Sequence, residues 1–120
     1  MKNPNLISSF RYAWAGMVYA LAHEPHIWMI LVIGALVLVL GYLLGIGLTE
    51  YAFIVFAVVL TVCAEMLNTA VEATIDLVSP RPHPLAKIAK DVAAGAVLVI
   101  LMGDAIVGGL IFLPPILARW

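Results

Sequence analysis

The sequence predicts an all-α membrane protein, with an N-terminal amphipathic surface helix followed by three transmembrane helices. Three observations carry that prediction. Of 120 residues, 65% are hydrophobic and 11% charged, and the mean hydropathy is +1.14. A soluble domain of this size cannot hide so much apolar surface, whereas a bilayer can. Three apolar runs each reach the ~20 residues that a helix needs to cross ~30 Å of hydrocarbon. No barrel-like alternation over about ten residues occurs, and lipid obliges the backbone to satisfy itself as helix.

The elements follow in order within one domain, 1–120. Residues 1–25 are expected as the surface helix, because Ile7, Phe10, Trp14, Met17, Val18 and Leu21 recur at steps of three and four. No cleavable apolar core follows the basic start, so this is not a signal peptide. In "HEPH", the two histidines flanking Glu-Pro are weak evidence for a soft metal, and the stretch reads as a solvated turn with Pro25 at the start of the next helix. The membrane helices are expected at 27–47, 50–77 and 91–117, with Pro114-Pro115 ending the last. Gly41 and Gly45 have the spacing of a helix-packing pair, and Cys63 reads as a small packing residue.

Lys2 and Arg11 precede the first span, and Arg81, Lys87 and Lys90 lie between the second and third, so those segments are expected in the cytoplasm. Arg119 alone falls on the far side. A net charge of -1 says nothing of nucleic acid, and no basic patch is large enough to suggest it, so no nucleic-acid partner is expected. So little chain lies outside the membrane that any chemistry must occur on helix ends at its surface.

The stretch "AEMLNTAVEATID" is the informative one. Glu65, Asn68 and Glu72 are spaced i, i+3, i+7 and share a helix face, flanked by Thr69 and Asp76. Glu65 lies fifteen residues beyond Glu50, ~22 Å along the helix, near the inner boundary of the bilayer. Asn68 alone reads as an interhelical hydrogen-bonding residue. Two carboxylates with Asp76 repel one another and are costly at depth, and a divalent cation such as magnesium is the natural remedy. The deeper Glu65 suits a general base. Lys90 and Asp91 sit where the third span enters the membrane, next to the small run Ala93-Ala94-Gly95-Ala96 that lets another helix approach. A lysine there can hold phosphate, although no P-loop or dinucleotide motif is present. Asp104 lies ~20 Å further along the same helix and has no place in this constellation. An ion- or proton-conducting protein and a non-catalytic membrane assembly subunit are the alternatives.

The pairing of "AEMLNTAVEATIDLVSP" with "HPLAKIAKDVAAGAVL" resembles the prokaryotic integral-membrane diacylglycerol kinase family, and its wording looks most like the undecaprenol kinase branch. That resemblance, which spans about Phe10 to Leu113, implies an ATP- and magnesium-dependent kinase acting on the hydroxyl of a membrane lipid alcohol, undecaprenol or diacylglycerol. It implies Glu65 as the catalytic base, Glu24 and Glu72 as magnesium ligands, and Tyr12, Glu24, Asn68, Glu72, His83, Lys90 and Asp91 around ATP. The lipid is expected against Glu65 and Ala94. A homotrimeric helical bundle with shared active sites in the bacterial inner membrane is implied as well. The chain departs from the family pattern at His26 and Trp28, where Asn or Arg is frequent, and at Arg81-Pro82 before the loop histidine.

Overall fold

The computed structural model describes residues 5–118, so Lys2 and Arg119, two of the charges in the orientation reasoning, lie outside the described residues. The described residues form four helices: α1 (Leu6–His23), α2 (Pro25–Leu44), α3 (Leu48–Val78) and α4 (Pro84–Ala118). The last three are long and apolar enough to cross a membrane. α3 packs on α4 and on α2, and α1 meets α2.

Local chemistry sets the ends of these helices. Asn5 caps α1, its Oδ1 accepting from the Ser8 N–H at 2.8 Å. The elbow between α1 and α2 is Glu24, whose N–H donates to the Ala20 carbonyl at 2.9 Å while Pro25 opens α2, as the sequence predicts. Trp28 ties the elbow shut, its Nε1–H donating to the Leu21 carbonyl at 2.6 Å. α2 stops at Leu44, short of the expected residue 47, because Gly45 takes the left-handed conformation at φ 70°. The Ile46 N–H then reaches the Gly41 carbonyl at 3.1 Å, which completes the helix end. Gly41 therefore serves the turn, with Ile46 and Tyr51 covering it. Glu50 steadies the start of α3 by accepting from the Gly47 N–H at 3.2 Å.

The close α2–α3 contact falls at Gly34, which periodicity did not single out. A Cβ added there would lie 2.7 Å from Val58 Cγ2. Gly34→Leu is expected to cost about 1–3 kcal/mol through overpacking, read as a lower thermal midpoint of the detergent-solubilised protein with α-helical content retained. An unchanged midpoint would mean that α2 and α3 are not held at this distance.

α4 corrects two expectations. It begins at Pro84 rather than 91, so Lys87 and Lys90 are helical rather than in a loop, and it continues through Pro114 and Pro115 to Ala118. A proline forfeits one backbone hydrogen bond and crowds the turn before it, a cost that membrane helices bear where the freed groups find other partners. Cys63 is exposed rather than packed inside the chain.

α3 has 31 residues and α4 has 35, at least ten more than a bilayer crossing needs. The surplus turns carry charge: Glu72 and Asp76 on α3, and Lys87, Lys90 and Asp91 on α4. Two ties clamp this antiparallel pair. Lys90 Nζ donates to Asp76 Oδ1 at 2.6 Å, and deep in the spans Thr61 Oγ1 is hydrogen-bonded to Asp104 Oδ2. Asp104 thus has a partner across the α3–α4 seam, an arrangement worth about 0.6–1.7 kcal/mol in membranes. Side-chain burial within the single chain is slight: among the described residues only Ala20, Ile27 and Ile54 form a buried hydrophobic core.

Candidate active site

The polar face of α3 is longer than its motif. At about 100° per residue, Thr61, Glu65, Asn68, Glu72 and Asp76 fall within one narrow stripe. Thr61 and Glu65 are its buried members, 2% and 6% exposed, and Thr69 closes the adjacent turn by donating its hydroxyl to the Glu65 carbonyl at 3.0 Å. Asn68 Nδ2 donates to Glu72 Oε1 at 3.0 Å, which leaves Glu72 exposed with further lone pairs free. Asn68 Oδ1 is buried with no partner, so the same amide also presents an unused acceptor beside these carboxylates.

The elbow of α1 and α2 delivers Glu24 and His26 to the deep end of the stripe. His26 Nδ1 lies 3.4 Å from Glu65 Oε1, and one ligand atom from each of Glu24, His26 and Glu65 lies within 4.8 Å of the others. Glu72 is not a member of that group. Within this chain Glu24 therefore meets Glu65 and His26, whereas the expectation paired it with Glu72. His23 faces elsewhere, stacked on Tyr19 with Nδ1 2.9 Å from the Tyr19 carbonyl. Tyr12 is exposed on α1, about three turns before the elbow.

The shallow end of the stripe opens into a cleft of about 620 Å³ lined by Asp76, Arg81, His83, Lys87, Lys90 and Asp91 among others. Three of the expected nucleotide residues, His83, Lys90 and Asp91, thus share one cavity, and Ala94 follows one turn along α4. His83 Nδ1 accepts from the Leu85 N–H at 3.1 Å, so a neutral ring presents its Nε2–H as a donor. Sequence reasoning missed the partner of Lys90. The ammonium is held by Asp76, and its neighbour Lys87 is paired with Asp91. The spacing of α4 puts Lys87 and Asp91 one turn apart, a signal that was legible. The Asp76–Lys90 contact needed the α3–α4 register, which no local pattern reveals. Both pairs are largely exposed and add little stability. They place two ammonium groups, each paired with a carboxylate, at the mouth of the acidic stripe.

The geometry defines a class: a multi-pass membrane protein whose buried carboxylate connects, along one helix face, to a basic cleft at the helix ends. Residues 11–112 match the model of the prokaryotic diacylglycerol kinase family. The chain belongs to that family. It is 44% identical over 116 residues to a diacylglycerol kinase of Synechocystis, covering 96% of this chain and 66% of that protein. It is 46% identical over 78 residues to the undecaprenol kinase of Bacillus subtilis, covering 65% and 63% of the two chains. It is 31% identical over 96 residues to a diacylglycerol kinase of Pseudomonas aeruginosa, covering 80% and 78%. The chain thus spans slightly less than two thirds of the length of the first two of these relatives.

Proposed function

We propose that this protein transfers the γ-phosphoryl group of ATP to the hydroxyl of a membrane lipid alcohol, undecaprenol or diacylglycerol. The observation that carries the reading is the buried Glu65 carboxylate on the α3 face that leads through Glu72 to the basic cleft. Relatives bearing the names diacylglycerol kinase and undecaprenol kinase support it.

The polyphosphate lies in the cleft against Lys90 and beside Asn68, whose unpaired Oδ1 is an acceptor awaiting a donor. His83 and Tyr12 meet the nucleoside, and Asp91 holds the cleft in shape through Lys87. The lipid enters sideways from the bilayer, its headgroup between Glu65 and Ala94. Glu65 takes the hydroxyl proton, the alkoxide oxygen bonds to the γ-phosphorus, and the bond to the β-phosphate oxygen breaks to release ADP. The carboxylate oxygens of Glu24 and Glu72 are hard donors that fit magnesium, and Glu72 keeps lone pairs free for it. When bound, magnesium neutralises charge on the phosphates. Orientation follows the same reading: α1 lies on the cytoplasmic face of the inner membrane, where the cleft opens. With so little buried in the single chain, three copies are read as completing one another's sites.

The test is ATP consumption by the purified protein in mixed micelles, with magnesium, each lipid alcohol in turn, or neither. Turnover that requires a lipid alcohol supports the reading, and the faster alcohol identifies the acceptor. No lipid-dependent turnover with either would favour a non-catalytic assembly subunit.

A further inference from the structure

His26 is the residue of this site that the phosphotransfer does not use, and it is one of the chain's departures from its family pattern. We propose that Glu24, His26 and Glu65 form a second metal site, selective for a borderline transition ion of the zinc class, whose occupancy switches the enzyme off.

Three observations converge. First, the donor set is one imidazole nitrogen and two carboxylate oxygens, gathered within 4.8 Å. Imidazole suits zinc and its neighbours, whereas magnesium takes oxygen. Second, the 3.4 Å between His26 Nδ1 and Glu65 Oε1 is long for a charge-assisted hydrogen bond, about 2.7–2.9 Å. It matches the edge of a tetrahedron with metal–ligand bonds of about 2.0–2.1 Å, which is ~3.3 Å. Third, Glu65 is buried, its side chain 7% exposed, and its one charge partner is the largely exposed His26. Among the described residues no lysine or arginine is paired with it. Two carboxylates and a neutral imidazole would make the complex with a divalent ion formally neutral, which a site at the membrane boundary favours. Glu24 is half-exposed at the elbow, and a side-chain rotation there would close the remaining gap, which is no more than 4.8 Å. Three protein ligands leave a fourth position for water.

The site shares Glu24 with the magnesium reading but not Glu72, and it engages the base, so a bound ion and catalysis exclude one another. Inhibition rests on the kinase reading; binding does not. Binding is therefore measured first, on the full-length protein in detergent with no ATP, lipid or magnesium, by zinc competition against a chromophoric chelator and by the visible absorption of the cobalt form. The expected result is one ion per chain, with the intense absorption of a tetrahedral cobalt site. Affinity should fall on the order of a hundredfold or more in His26→Asn, since even outer-shell partners of a metal are worth about 10–100-fold, and should be unaltered in Glu72→Gln. Thermal midpoints establish that both variants are folded. Equal zinc affinity in wild type and His26→Asn overturns the proposal, as does loss of binding in Glu72→Gln, which would move the ion to the magnesium site. Given lipid-dependent turnover, zinc should inhibit the wild type at concentrations on the order of a hundredfold lower than it inhibits His26→Asn.

Discussion

Glu65→Gln is expected to lower lipid-dependent ATP turnover by about 10²–10⁴-fold, the usual worth of a general base. The substitution keeps side-chain volume and hydrogen-bonding capacity while removing the proton acceptor. Its effect on folding should run the other way. In the native chain a buried carboxylate approaches Glu24 and relies on His26 at 3.4 Å. Removing one of two like charges relieves repulsion and desolvation cost. The variant should therefore melt no lower than wild type in detergent, and a residue whose loss abolishes turnover without weakening the fold is held for chemistry. Turnover near the wild-type rate would remove Glu65 from the base role. A loss of turnover matched by a lower melting temperature would make it a packing residue.

Lys90 carries the second large effect. Its ammonium is paired with Asp76 across the α3–α4 seam, so two roles compete: a structural tie between helices, or a phosphate contact that Asp76 holds in waiting. The two roles separate in a pair of variants. Lys90→Met is expected to lower turnover by about 10²–10³-fold, the scale of losing one preorganised charge-stabilising group. Asp76→Asn breaks the same tie but frees the lysine, and its loss is expected to be far smaller. Stability cannot account for such a difference, because an exposed pair of this kind is worth at most about 1 kcal/mol in either variant. Equal losses in the two would assign Lys90 to the tie.

The legible and illegible parts of this molecule divide by the range of the interaction. Three apolar helices were visible because a bilayer imposes length and hydropathy locally, and Glu65, Asn68 and Glu72 were visible because helical spacing alone puts them on one face. Helix ends were less so. α2 stops early because Gly45 adopts a left-handed conformation, and α4 runs on through Pro114-Pro115 because tertiary and membrane context outweighs the local breaker. Pairings between helices were not visible: Asp76 with Lys90, Thr61 with Asp104, and His26 with Glu65 each depend on register between elements far apart in sequence. His26 stood out in the sequence as a departure from a pattern and, with His23, as weak evidence for a soft metal at "HEPH", and its direction into the site emerged from the elbow that Glu24, Pro25 and Trp28 build.

The central claim is that the acids of α3 are retained at the membrane surface to hold a metal–nucleotide complex. Its most direct test is the electron paramagnetic resonance of Mn²⁺ added to the micellar protein, in magnesium's place, with a non-hydrolysable ATP analogue. Binding should require the nucleotide and should be lost in Glu72→Gln. Immobilised Mn²⁺ that is indifferent to the nucleotide, or undiminished in Glu72→Gln, would contradict the claim.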